Sequence, residues 1–156
     1  MKVSKENLKI QEFLKSGKVA LGGFLGSDNR NFIEIIESDQ NELARINLES
    51  KKLTDAMLKI TQKIMNFIGN WVKISDNLEA KTEEVKGSII CPFPHNTKPF
   101  LKWFTTLRDL RTGEEFKWSE LSIHLIEEHS FFQGKGSEFR IEPAKFAKVL
   151  NLIEEK

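Results

Sequence analysis

The stretch Ser50-Lys-Lys-Leu-Thr-Asp-Ala-Met-Leu-Lys-Ile-Thr-Gln-Lys-Ile-Met-Asn-Phe-Ile-Gly-Asn-Trp-Val-Lys-Ile-Ser75 changes its period part-way along. Up to Ile68, apolar residues recur every three or four positions: Leu53, Met57, Ile60, Ile64, Phe67 and Ile68. That spacing lays a single stripe along a helix and turns it toward a core. Ser50 is expected to cap the start of this helix, and Gly69 to end it in a left-handed conformation. Beyond Gly69 the period falls to two. Trp71, Lys73 and Ser75 alternate with Val72 and Ile74, and Asp76-Asn77 offers a two-residue turn into a second strand, Leu78 to Val85.

Working outward, the N-terminal side stays helical. A helix from Lys5 to Lys15 follows a Ser4 cap, with Gly17 as its stop. Ser27 or Asp28 is expected to cap the next helix, which carries Phe32, Ile35 and Ile36 and breaks or bends near Ser38-Asp39 before Leu43. On the C-terminal side, Gly87 opens a third apolar run, Ser88 to Cys91, closed by Pro92. Leu101 to Leu110 and Glu115 to Trp118 read as a hairpin, and Ser119 as the cap of a helix running to about Glu128. A short strand, Glu138 to Ile141, and a last helix opened by Pro143 complete the chain. The fold class is α+β: a helical N-terminal half packed on a small, mainly antiparallel sheet, with a hairpin-helix module at residues 100–129 and a C-terminal helix. The chain 1–156 is expected to form one domain, with a helical subregion 1–69 and an α+β subregion 70–156.

Composition narrows the class of partner. The 156 residues hold 24 Lys+Arg against 23 Asp+Glu, a net charge of +1, which disfavours a polybasic nucleic-acid binder or an acidic solvating tail. With 39% hydrophobic and 30% charged residues, the chain has the makings of a soluble globular protein. No apolar run is long enough to span a bilayer, and the opening Met1-Lys-Val-Ser-Lys-Glu-Asn lacks a secretory core. A single cysteine excludes an internal disulfide framework, so a cytoplasmic, reducing environment is expected.

That cysteine is the most informative residue. Cys91 and all three histidines fall between positions 91 and 129, in the order Cys91-x3-His95, 28 residues, then His124-x4-His129. One thiolate and three neutral imidazoles are the four donors a tetrahedral zinc ion takes. Cys91-Pro-Phe-Pro-His95 is a proline-bent knuckle that holds its two end side chains close together. With no further protein ligand needed, such a centre is closed, and zinc is the expected cofactor of a non-enzymatic binding or interaction module with a protein partner.

The order knuckle, hairpin, helix with two histidines resembles the ββα zinc finger in its H-x4-H spacing at a helix end. It departs from that family in carrying His95 where a second cysteine belongs, and in a gap more than twice the usual length. The resemblance implies a metal pair at a helix terminus and nothing more. At 100° per residue, His124 and His129 stand about 140° apart on a continuous helix, so their convergence is expected to require the helix to tighten or end before His129. His124-Leu-Ile-Glu-Glu-His129 also looks like an inverted metalloprotease box with one residue inserted, but that chemistry needs histidines at i and i+4. The competing enzymatic reading is a small metal-dependent hydrolase with three protein ligands, a metal-bound water and Glu127 or Glu128 as base. Otherwise, Cys91 is a buried small hydrophobe, His129 a helix C-terminal cation and His124 a half-buried side chain bonded to Glu128.

Three other features compete for function. The segment from Lys98 to Arg111 carries Lys98, Lys102, Arg108 and Arg111 against Asp109 alone, interleaved with Phe100, Trp103 and Phe104. Cations alternating with stacking faces suit single-stranded nucleic acid, whereas a core-facing aromatic row with Glu114 and Glu115 across the turn suits a plain strand. Phe131 and Phe132 either present one ring to a partner or plug two sides of a core. Leu21-Gly-Gly-Phe-Leu-Gly26 and Gly134-Lys-Gly-Ser137 lack the residues of phosphate-binding loops and read as flexible turns.

Overall fold

A computed structural model describes residues 4–15, 23–95 and 98–153. Five helices and one four-stranded antiparallel sheet appear in the order α1 Lys5–Lys15, α2 Phe32–Arg45, α3 Ser50–Ile64, β1 Val72–Ser75, β2 Leu78–Ile89, β3 Phe100–Asp109, β4 Glu115–Ser119, α4 Glu120–His129 and α5 Pro143–Val149. The strands form a simple meander, β1-β2-β3-β4. This is the α+β arrangement the sequence pattern predicts, helices leading and a helix closing the chain. Among the described residues, no helix is long and apolar enough to cross a membrane.

Local chemistry sets the helix starts. Ser4 Oγ accepts from Asn7 N at the head of α1. Gln11, on the buried side of α1, reaches across to accept from Phe32 N at 2.8 Å, satisfying one of the amides that every helix start leaves without an internal partner. Asn31, not Ser27 or Asp28, caps α2, and Glu34 completes a reciprocal capping box. Asp28 is occupied elsewhere, as described below. α2 continues unbroken through Ser38-Asp39, where a break or bend is expected, and buried Asp39 is held from outside the helix by Arg140 at 2.5 and 2.9 Å. Glu49 rather than Ser50 precedes α3, without a side-chain cap.

Leu53, Met57, Ile60 and Ile64 are buried as their period demands. Phe67 and Ile68 are not: α3 tightens into a 3₁₀ turn over Met65–Phe67, which shifts the register of the stripe and leaves both side chains exposed. Gly69 adopts φ +85° as expected, and its amide donates to Thr82 O. The two runs expected on either side of Lys86 are one strand, β2, bent by a bulge between Val85 and Ser88 where Gly87 takes φ +104°. The expected strand Glu138–Ile141 is a turn instead. Arg140 N donates to Ser137 O, and the Arg140 side chain is drawn inward by Asp39 and Glu142.

Two hydrophobic clusters flank α4. One lies between the sheet and helices α3 and α5, where Leu78, Ala80, Leu107, Phe116 and Trp118 meet Met57, Ile60, Ile64 and Phe146. The other joins α1, α2 and the end of β2 through Leu14, Leu25, Phe32, Ile35, Ile89 and Cys91. α4 serves both, sending Ile123 and Ile126 to the first and Leu121 and Leu125 to the second. Phe131 and Phe132 continue the division, one ring in each cluster.

The two glycine-rich segments form an interlocked pair rather than flexible turns, as far as they are described; Leu21 and Gly22 lie outside the described residues. Gly134 N donates to Phe24 O at 2.8 Å, Ser27 N to Lys135 O at 3.0 Å, and Lys135 N to Asp28 Oδ2 at 3.1 Å. A Cβ on Gly26 would lie 2.2 Å from Ser137 N, and one on Gly134 2.4 Å from Leu25 O. Backbone approaches backbone at these points, so no larger residue fits.

Candidate metal centre

Three segments bring one ligand group each, or two, to the same place. β2 ends at Ile89 and delivers Cys91, the knuckle carries His95, and α4 supplies His124 and His129. The Cys91 Sγ and three Nε2 atoms converge. His95 Nε2 lies 3.1 Å from Cys91 Sγ, 3.2 Å from His124 Nε2 and 3.1 Å from His129 Nε2. Cys91 Sγ and His129 Nε2 are 3.5 Å apart, and all four donor atoms fall within 4.8 Å of one another. Ordinary zinc bond lengths in a regular tetrahedron place nitrogens about 3.4 Å apart and sulfur about 3.6 Å from nitrogen. The group is close enough to hold one metal ion.

Hydrogen bonding does not account for this packing. A ring nitrogen carries either one hydrogen or one lone pair, so His95 Nε2 can serve one partner of this kind. It has three at hydrogen-bond distance. A cation at the common centre would satisfy all of them at once through their lone pairs.

The surroundings hold the rings in place. Phe93, between Pro92 and Pro94, stacks on His129 with ring centroids 4.2 Å apart and planes 14° from parallel. The same ring meets Phe32 and Phe131 edge-on, at 5.7 and 5.8 Å, which anchors the knuckle in the second hydrophobic cluster. Phe100, at the start of β3, leans on His124 at 4.8 Å. Phe93 was no candidate by residue type, since it offers no donor atom. Its signal is positional: an aromatic residue pinned between two prolines and two prospective ligands.

Electrostatics favour the ligand forms of the rings. Burial, and then the neighbouring imidazoles, lowers the pKa of His129 to about 4 against a weaker pull from Glu128. Burial and His95 likewise lower that of His124. Both rings are therefore neutral at pH 7, the state that presents a lone pair. Burial pushes the Cys91 thiol up, so in the metal-free protein it keeps its proton.

The helix does not end before His129, contrary to the geometric expectation. His129 is its last residue, and Ser130 follows in the left-handed conformation. The two rings nonetheless converge: their centroids are 5.3 Å apart, and each lies a similar distance from His95, 5.1 Å for His124 and 4.8 Å for His129. Glu127 and Glu128, the bases of the hydrolase reading, are exposed and point to no described hydrogen bond at the centre.

The other sequence candidates are dispersed. Strand alternation splits the aromatic residues of β3: Phe100 and Phe104 pack with the second cluster, whereas Trp103 lies on the opposite face, beside α3. They do not form the expected single row. Arg108 bonds Glu79 at 2.9 Å and Glu115 at 2.8 Å, and stacks 3.9 Å above the Trp71 ring. Arg111 is held by Asp109, and Glu114 pairs with Lys145. Lys98 is exposed ahead of β3, and Lys102 lies along Gly87. Two of the four cations, Arg108 and Arg111, are thus held by carboxylates. Phe131 and Phe132 are 0% and 1% exposed, so neither presents a ring to a partner.

No protein-family model, curated protein or solved structure matches the chain. The chemistry of the centre is accordingly read from its own atoms.

Proposed function

We propose that Cys91, His95, His124 and His129 bind one zinc ion in a closed tetrahedral site, and that the protein is a cytoplasmic, non-enzymatic binding or interaction module stabilised by that ion. The observation that carries this reading is the position of His95 Nε2, within 3.2 Å of all three other donor atoms. Zinc is favoured over harder cations because the donor set is one thiolate and three imidazoles with no carboxylate. Four protein ligands leave no place for an activated water, which supports a structural over a hydrolytic role. The ion would tie the β2–β3 connection to the end of α4, and would displace the thiol proton that burial otherwise retains.

Elemental analysis of the purified protein tests the assignment, with cobalt substitution reporting geometry. The expected result is one zinc per chain, a tetrahedral cobalt spectrum with a thiolate charge-transfer band, and loss of both in Cys91→Ser. A chain that takes up no stoichiometric zinc or cobalt would overturn the metal reading. A Cys91→Ser variant that keeps one tightly held metal ion with an exchangeable water would instead favour the hydrolase.

A further inference from the structure

A second site lies on the sheet face opposite Phe100 and owes nothing to the metal. α3 covers that face only in part. Where β3 runs beyond it, a cavity of about 230 Å³ opens between Leu58 of α3, Met65 of the 3₁₀ turn that follows it, Leu101 and Trp103 of β3, and Trp118 of β4. Its mouth is apolar: Leu58 is 44% and Leu101 54% exposed. Its floor is rigid, because Trp118 Nε1 donates to Thr61 Oγ1 at 2.9 Å and Thr61 in turn meets Thr105 Oγ1 at 3.4 Å. Those polar atoms satisfy one another, so the floor presents chiefly indole and aliphatic surface.

The charge among the described lining residues is of one sign. Glu120, at the start of α4, is the only ionisable residue among the described lining residues, and its carboxylate is held at the mouth by accepting from Leu101 N at 3.3 Å. Glu84 pairs directly with Trp103 across β2 and β3, so it emerges on the same face. No lysine or arginine lines the cavity among the described residues. Two indoles beside a fixed carboxylate complement a cation, since the faces of tryptophan attract positive charge and an apolar wall accepts an alkyl or aryl body.

We propose that this cavity binds a small organic ammonium ion with an apolar body, its cationic head at Glu120 and its body between Trp103 and Trp118. The volume admits on the order of ten non-hydrogen atoms at interior packing density.

Titration of the full-length protein with benzyltrimethylammonium, its neutral carbon isostere neopentylbenzene, and 4-tert-butylbenzoate, followed by tryptophan fluorescence and by NMR, tests this. The cation is expected to bind saturably, about tenfold more tightly than the isostere, with no saturable binding of the anion. Glu120→Gln, at an exposed position, is expected to reduce that preference to within about twofold while sparing the isostere. Trp103→Leu, checked for retained melting temperature, should weaken both. Equal affinity for cation and isostere, an undiminished preference in Glu120→Gln, or no saturable cation binding would overturn the proposal. So would sedimentation showing a dimer abolished by Leu101→Asp, which would assign the face to a second copy of the chain.

Discussion

The imidazole of His129 lies flat against the ring of Phe93, 4.2 Å between centroids, while the opposite ends of the same knuckle hold Cys91 and His95. One phenylalanine therefore orients one proposed ligand on α4 and anchors the two proposed ligands of the β2–β3 connection. Groups that orient metal ligands in this way contribute about 10- to 100-fold to metal affinity. Phe93→Leu keeps an apolar anchor and removes the stacking. Zinc affinity, measured by competition with a chromophoric chelator, is expected to fall about tenfold, with the far-ultraviolet circular dichroism unchanged.

Arg140 and Asp39 are 7% and 3% exposed at their side chains and lie 101 residues apart in sequence. Their paired contacts fasten the 131–142 segment to the middle of α2. Removing one partner of a buried pair costs about 3–5 kcal/mol when the other charge is left uncompensated. Arg140 keeps its 2.9 Å contact with Glu142, so Asp39→Asn should lose about 2–3 kcal/mol by urea denaturation, at or below the low end of that range. Lys51→Ala, which removes an exposed pair with Asp55, should leave the urea midpoint essentially unchanged.

Acid should act on Asp28. The Arg30 side chain above all, and then the amides of Lys135 and Arg30, hold its carboxyl far below the usual carboxylate range despite burial. A folded-state pKa below the unfolded one adds stability that is fully present above the unfolded value, near 4, and is lost as pH falls through the folded value. Asp28→Asn is accordingly expected to lower stability at pH 7 by about 2 kcal/mol, as for a hydrogen-bonded charge. The gap between variant and wild type should narrow steadily as the pH of thermal melts is taken from 4 toward 1.

Glycines with the same backbone sign should respond differently. Gly26 and Gly69 both have positive φ, but a Cβ at Gly69 meets nothing within 4 Å, whereas at Gly26 it meets the backbone of residues 136 and 137. Gly69→Ala should cost about 1 kcal/mol, the conformational term alone. Gly26→Ala should cost at least about 3 kcal/mol, because the interlocked loops must part to admit the methyl group. Equal melting temperatures for the two variants would contradict the interlock.

Some elements were legible from residue pattern and others were not. The apolar spacing from Leu53 to Ile64, the Asp76-Asn77 turn and the Pro143 helix start each depend on interactions within a few residues, and each is found; α3 ends at Ile64, short of Gly69, whose amide bonds Thr82 O in β2. The α2 cap was missed because Asp28 is a good capping residue in isolation and is instead drawn to Arg30 and Lys135. The break expected at Ser38-Asp39 fails for a similar reason. A charge that disfavours a helix on its own is acceptable once Arg140 lies beside it. The strand expected at Glu138–Ile141 had the right composition but no neighbouring strand to pair with.

The α+β class with its leading and closing helices, and a donor set of one thiol and three imidazoles, follow from the sequence alone, because hydrophobic period and composition are local properties of a chain. That His95 lies among the other three ligands, that Phe131 and Phe132 turn to opposite cores, and that two glycine loops more than 100 residues apart interlock were decided only in three dimensions. Such contacts depend on how α4 packs between two clusters assembled from the whole chain. No short stretch of residues carries that information, because the energy that fixes it arises only when distant surfaces leave water together.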